Sequence, residues 1–167
     1  MLFSNIYKNK TVLVTGHNGF KGAWLSLWLK NLGAKVTGIS IENLEEKSFF
    51  KVNGISDLVE DLNLDIRNLD SIKHLIKQLE PDFVFHLAAQ ALVRRSYRDP
   101  LETWSTNLVG TLNILESLRS LEKKCACILI TSDKCYSNKE WAWGYRENDT
   151  LGGPDPYSAS KACAELA

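Results

Sequence analysis

Tyr157 and Lys161 stand four residues apart in Tyr-Ser-Ala-Ser-Lys, and on a helix that spacing puts a phenol and an ammonium on one face. A free tyrosine has a pKa of about 10 and is a poor base at neutral pH. A nearby cation stabilises the phenolate, and the charged ring of an oxidised nicotinamide would act in the same direction. Such a pair supplies a general base for oxidising an alcohol to a ketone while hydride leaves to a cofactor. The spacing also recurs by chance, and a surface Tyr–Lys pair is its plain alternative. Upstream, Thr131-Ser132-Asp133-Lys134 sets a hydroxyl, a carboxyl and an amine in a row after an apolar run. Ser132 and Asp133 either cap a turn there or reach a ligand, because ligands of open parallel sheets lie beyond the carboxyl ends of the strands.

A second constellation lies near the start. Thr11-Val12-Leu13-Val14-Thr15 runs into Gly16-His17-Asn18-Gly19-Phe20-Lys21-Gly22, and an apolar stretch follows at once. A strand that turns sharply into a helix leaves the helix's first N–H groups pointing at one spot, which the helix dipole makes favourable for phosphate or pyrophosphate. Gly16 lets the chain leave the strand tightly, Gly19 lets backbone approach the ligand, and Gly22 lets the helix sit close on the strand. The spacing is G-x-x-G-x-x-G, a variant of the G-x-G-x-x-G fingerprint. A glycine trio is weak alone; the flanking strand and helix strengthen it.

The elements that must position these groups alternate strand and helix, which predicts βαβ units and a parallel sheet. Strands are expected over 11–15, 35–41, 59–64, 83–89 and 125–131, five strands of a doubly wound, Rossmann-like α/β fold. The helix after the first strand carries Phe20, Trp24, Leu25, Leu27, Trp28, Leu29 and Leu32. It is apolar over most of its circumference, so it is expected to be well covered, with Gly33 closing it. Residues 42–56 read as a charged irregular stretch or short helix. Asn68 or Asp70 can cap a helix with Ile72, Leu75, Ile76 and Leu79 on one face. Ala88 and Ala89 end the fourth strand with small side chains, leaving room for a flat ligand. Asp99-Pro100 opens a long helix to about Leu121, and the apolar run 125–131 reads as a central strand. Residues 134–156 form a polar loop rich in Trp, Gly and Pro, and Tyr157 begins a further helix. We expect one domain over 1–167, incomplete at its C-terminal end, with a substrate-binding part outside this sequence.

The 167 residues carry 20 Lys plus Arg against 20 Asp plus Glu, with 44% hydrophobic content. Charge balance gives no reason to expect nucleic acid or an anionic membrane. No apolar run approaches the ~20 residues of a membrane span, and the first ten residues lack a secretory pattern, so a cytoplasmic protein is expected. Four cysteines without C-x-x-C spacing and three scattered histidines give no metal motif; reduced cysteines are the default.

Taken together, the glycine trio, Asp65-Ile66, His86-Leu87-Ala88-Ala89-Gln90, Thr106-Asn107-x-x-Gly110-Thr111 and Tyr157-x-x-x-Lys161 resemble the extended short-chain dehydrogenase/reductases that act on nucleotide sugars. Gly16 to Leu25, Leu92-Val93-Arg94-Arg95-Ser96-Tyr97, Thr131 to Tyr136 and Trp141-x-Trp143-Gly144-Tyr145-Arg146-Glu147-Asn148-Asp149 resemble its CDP-glucose 4,6-dehydratase branch more closely. The resemblance spans nearly the whole chain. It implies oxidation of the sugar at C4 with NAD, removal of the C5 proton, loss of the C6 hydroxyl as water, and return of the hydride to C6. Carried over by position, Tyr157 is the C4 base, Lys161 supports the phenolate and holds the ribose, Ser132 bonds the C4 oxygen, and Asp133 is the acid at C6. Lys134 stands where related dehydratases have a glutamate, and so inherits the C5-base role; the pyridinium and Lys161 would favour its neutral form, and Asp133 would oppose it.

The cofactor residues implied are Gly16, Asn18, Gly19, Phe20, Lys21, Gly22, Ser40, Asp65, Ile66, Leu87, Ala88, Ala89, Gln90 and Thr106, with Tyr157 and Lys161. Arg94, Ser96 and Asn107 are implied on the nucleotide-sugar side, and no metal is expected. NAD-specific folds usually carry an acid after the second strand; here Ser40 stands near that place and Glu42 slightly beyond, with no arginine for a 2′-phosphate, so NAD is favoured over NADP. A homodimer through 99–121 and the helix at Tyr157 is implied as well. An epimerase or simple reductase would share the glycine loop and Tyr157/Lys161 without needing Asp133 and Lys134. A dinucleotide-binding module without catalysis remains a third reading.

Overall fold

The computed structural model describes residues 2–41 and 46–167; Glu42 lies outside them. The chain forms two compact units, residues 1–88 with 113–130 and residues 89–112 with 131–167.

The first unit holds the sheet. Its strands are β1 (Thr11–Thr15), β2 (Lys35–Ser40), β3 (Glu60–Asn63), β4 (Phe83–His86) and β5 (Ala126–Leu129). They are all parallel in the order β3-β2-β1-β4-β5. The helices between β1 and β4 are α1 (Phe20–Asn31), α2 (Phe49–Val52) and α3 (Leu69–Leu79). Successive strand residues face opposite sides, so Leu13 of β1 joins Ile39, Val84, α3's Ile72 and Ile76, and Ile114 in one core. Val12 and Val14 join Val36 and α1's Leu29 in another. Helices therefore cover both sheet faces, the doubly wound arrangement expected from the alternating pattern. Asn68 caps α3, its Oδ1 accepting from Ser71 N–H at 3.0 Å, and Gly33 follows α1 at φ +85°.

Two expectations in this unit are corrected. α1 is not covered all round: Phe20, Trp24 and Trp28 are 76%, 51% and 50% exposed. They follow one another at helical spacing and line an open groove of about 590 Å³ with Leu25 and Leu27. Trp24 stacks on Phe49 and Trp28 meets Phe3 edge-on, so neighbouring rings partly shield that stripe. Among the described residues the run at 125–131 holds an edge position and not the expected central one: β5 ends the sheet order, and Ile128 and Ile130 remain more than a third exposed. Its apolar character is that of a strand flanked on both sides, and no second neighbour lies among the described residues.

The second unit is mostly helical: α4 (Val93–Arg98), α5 (Pro100–Trp104), a π-helical segment (Ser105–Val109), the start of α6 (Gly110–Leu118), and α7 (Pro156–Leu166). The long helix expected after Asp99 is thus interrupted by a π turn. α7 begins at Pro156, one residue before the expected start. Asp155 caps it: Oδ1 accepts from Ser158 N–H at 2.9 Å and Oδ2 from Ser158 Oγ at 2.6 Å. The loop before α7 doubles back, with a Tyr136–Leu151 bridge and bonds from Ser137 N to Thr150 O and Gly152 N to Cys135 O, each 2.8 Å. Among the described residues all four cysteines are free, and no helix is long and apolar enough to cross a membrane.

Candidate active site

In the first unit, the three glycines do three different things. Gly16 sits at φ +68°, and a Cβ there would come within 2.8 Å of Ala88 N. Its own N–H extends the β1–β2 ladder to Ile39 O at 2.8 Å. A Cβ on Gly22 would come within 2.1 Å of Gly16 O, so the first turn of α1 rests on the backbone leaving β1. Gly19 is exposed and extended (φ −69°, ψ 170°) and caps α1 without any side-chain bond; the first turn holds no acid. That leaves the N-terminal N–H groups of a three-turn helix open to an anion. Asn18 is half-buried beside them, and Phe20 and Lys21 are exposed. The residues fit a bound pyrophosphate.

The other expected cofactor residues of this unit follow the carboxyl ends of β2, β3 and β4. Ser40 ends β2 and is 8% exposed. Asp65 is gripped by Arg67, whose Nη2 donates to Oδ2 at 2.6 Å and whose Nε donates to Oδ1 at 3.0 Å. These bonds hold the Asp65 carboxyl below the usual carboxylate range against a partial burial that raises it. Ile66 is fixed through its carbonyl, which accepts from buried Asn113 Nδ2 at 2.9 Å. Leu87 N–H donates to Thr15 O at 3.1 Å and Ala88 N–H to Thr15 Oγ1 at 3.0 Å. The same Thr15 hydroxyl lies 2.7 Å from His86 Nδ1.

In the second unit, Tyr157 and Lys161 share the buried face of α7, at 9% and 7% exposure. That helix packs on the turn Asp133–Cys135 and on α4, α5 and the π segment. Burial pushes the Lys161 ammonium below its ordinary value, and the Cys135 thiol nearby opposes the shift. Ser132 caps the turn, its Oγ accepting from Lys134 N–H at 3.2 Å and donating to Asp133 Oδ1 at 3.1 Å. The capping alternative raised for Ser132 is therefore realised; its hydroxyl stays half-buried, with Asp133 and Lys134 exposed.

Asn107 and Gln90 are placed differently from simple ligand contacts. Asn107 is 1% exposed. It accepts from Gln90 N–H at 2.8 Å and donates to Gln90 O at 3.1 Å and Ser160 Oγ at 2.9 Å. The Gln90 side chain accepts from Leu92 N–H at 2.7 Å and donates to Thr103 Oγ1 at 2.8 Å. The side chains of both residues thus bind protein, tying Gln90 to α5, the π segment and α7. Ser96 is fully buried, donating to Val93 O at 2.7 Å. Thr106 and Ala89 are half-buried, and Arg94 is exposed. Sequence patterns did not reveal this network, because nothing local tells that Asn107 spans to Ser160.

A family model described as GDP-mannose 4,6 dehydratase matches residues 13–167. CDP-glucose 4,6-dehydratase of Salmonella typhimurium is 49% identical over 166 residues, 99% of this chain and 46% of that protein. Among solved structures, the UDP-glucose 4-epimerase of Thermotoga maritima with UDP-glucose superposes with a TM-score of 0.77 at 26% identity, over 93% of this chain and 49% of the other. MoeE5 in complex with UDP-glucose and NAD gives 0.73 at 26%, over 93% and 47%. The chain spans about half the length of these relatives.

Proposed function

The chain belongs to the GDP-mannose 4,6 dehydratase family, and from that premise we propose that the whole protein is an NAD-dependent CDP-glucose 4,6-dehydratase. The observation that carries this reading is 49% identity to such an enzyme along 99% of the chain. NAD fits the first unit, where Gly16–Gly22 presents open helix N–H groups to a pyrophosphate and Asp65, Ile66, Leu87 and Ala88 stand at the same strand ends. MoeE5, of the same fold, is solved with NAD and UDP-glucose. When bound, NAD supplies one hydride acceptance and one hydride return.

The chain's own residues do the proton work. Tyr157 takes the proton of the sugar's C4 hydroxyl, and buried Lys161 supports the phenolate and holds the ribose. Ser132 bonds the C4 oxygen. With C4 a ketone, the C5 proton is acidic; Lys134 removes it, and Asp133 protonates the departing C6 hydroxyl, which leaves as water. The hydride taken from C4 adds to C6 of the resulting 5,6-alkene while Lys134 returns its proton to C5, giving CDP-4-keto-6-deoxyglucose with no net change in cofactor. Proton exchange with solvent returns Tyr157 and Asp133 to their starting forms. Arg94 lies on the nucleotide-sugar side of this scheme. A homodimer joined through the long helical run is part of the same reading, supported by exposed Leu101, Val109 and Leu112. Full-length protein incubated with CDP-glucose should yield the 4-keto-6-deoxy product. A product only from a different nucleotide sugar would move the substrate, and none from any would reject dehydration.

A further inference from the structure

His17 stands inside the glycine loop with its ring packed against β2 and β3. It is completely buried. Its ring lies where a Cβ on Gly38 would be, 2.1 Å from that position, so β2 carries a glycine there because the imidazole occupies the space. Its Nε2 is 2.8 Å from Oδ1 of Asp61 on β3, and Phe50 of α2 meets it edge-on at 5.1 Å. A carboxylate only accepts, so Nε2 carries the donated hydrogen. Nδ1 has no partner among the described residues. An unpaired buried nitrogen costs free energy, which the ring's packing and its bond to Asp61 must offset.

We infer that His17 is a positioning residue: it pins the glycine loop to β2 and β3 through Asp61 and thereby fixes the backbone N–H groups that receive the cofactor's pyrophosphate. The inference rests on the NAD reading above. The anchored residue directly follows Gly16, whose carbonyl accepts from Gly19 N–H at 3.1 Å, and Gly19's carbonyl accepts from Ala23 N–H at 2.8 Å. A loop held at its second residue enters binding already ordered, and ordering that precedes binding raises affinity.

The test separates anchoring from packing in the full-length protein. His17→Leu keeps the bulk and loses the donor; NAD titration should show affinity about tenfold weaker, with the KM for sugar nucleotide within about twofold. His17→Gln, whose amide can donate to Asp61, should stay within about threefold of wild type. Gly38→Ala should lower both the melting temperature and NAD affinity, and adding His17→Ala should restore the melting temperature only. Restoration of both, or unchanged affinity in His17→Leu, would overturn the anchoring role. If the wild type itself binds no NAD, the cofactor reading fails separately. Amide exchange then still decides the anchor: Gly19 and Ala23 should exchange faster in His17→Leu, and equal rates would refute it.

Discussion

Gly19 and Gly22 sit in one turn and answer differently to an added methyl. At Gly19 the nearest atom is 3.3 Å from an added Cβ and φ is negative; at Gly22 the carbonyl of Gly16 is 2.1 Å away. Gly22→Ala should therefore destabilise the protein by roughly 1–3 kcal/mol through overpacking, read from urea unfolding. Gly19→Val should stay folded and lose NAD binding; a folded Gly19→Val protein with unchanged NAD affinity contradicts the phosphate site. Lys161 gives a pH test. Its native value is lowered by burial from the ordinary 10.5, so between the two values the unfolded chain holds more protons and stability rises with pH. Below the native value the cost of the buried charge is fully present. The stability of wild type relative to Lys161→Met should then improve as pH approaches 10.5, and a flat or falling difference contradicts the assignment. In the full-length enzyme, Asp133→Asn and Lys134→Met should still reduce bound NAD transiently but release little product. Solvent exchange at C5 should vanish in Lys134→Met and survive in Asp133→Asn; its persistence in Lys134→Met would name another base. The placement of Tyr157 and Lys161 on one helix face, and of the glycines between β1 and α1, was legible because it depends on local spacing. His17 was not, because its partners Gly38 and Asp61 come from other strands.

The five strands were legible to within a few residues, since short apolar stretches alternating with helical patterns leave few alternatives. Coverage was not. An apolar helix and an apolar strand look the same in sequence whether a neighbour stands on them or not, which is why α1 and β5 are more exposed than expected. The π turn at Ser105–Val109 was also hidden, because its cause is tertiary: Asn107 is held by Gln90 and Ser160. Removing that amide leaves buried partners unpaired, so Asn107→Ala should cost about 3 kcal/mol of stability. Urea unfolding checks this, and a loss within experimental error would show that the network is not what holds the segment.

At the scale of the whole molecule, this chain spans about half the length of the relatives it matches. The central step of the proposed function is an internal hydride shift from C4 to C6 of the sugar. Full-length protein given CDP-glucose deuterated at C4, with the product read by NMR, tests that most directly. The account predicts a 4-keto-6-deoxy product carrying the deuterium on C6. Deuterium retained on C4 of an inverted sugar, or found in released reduced cofactor, would contradict it.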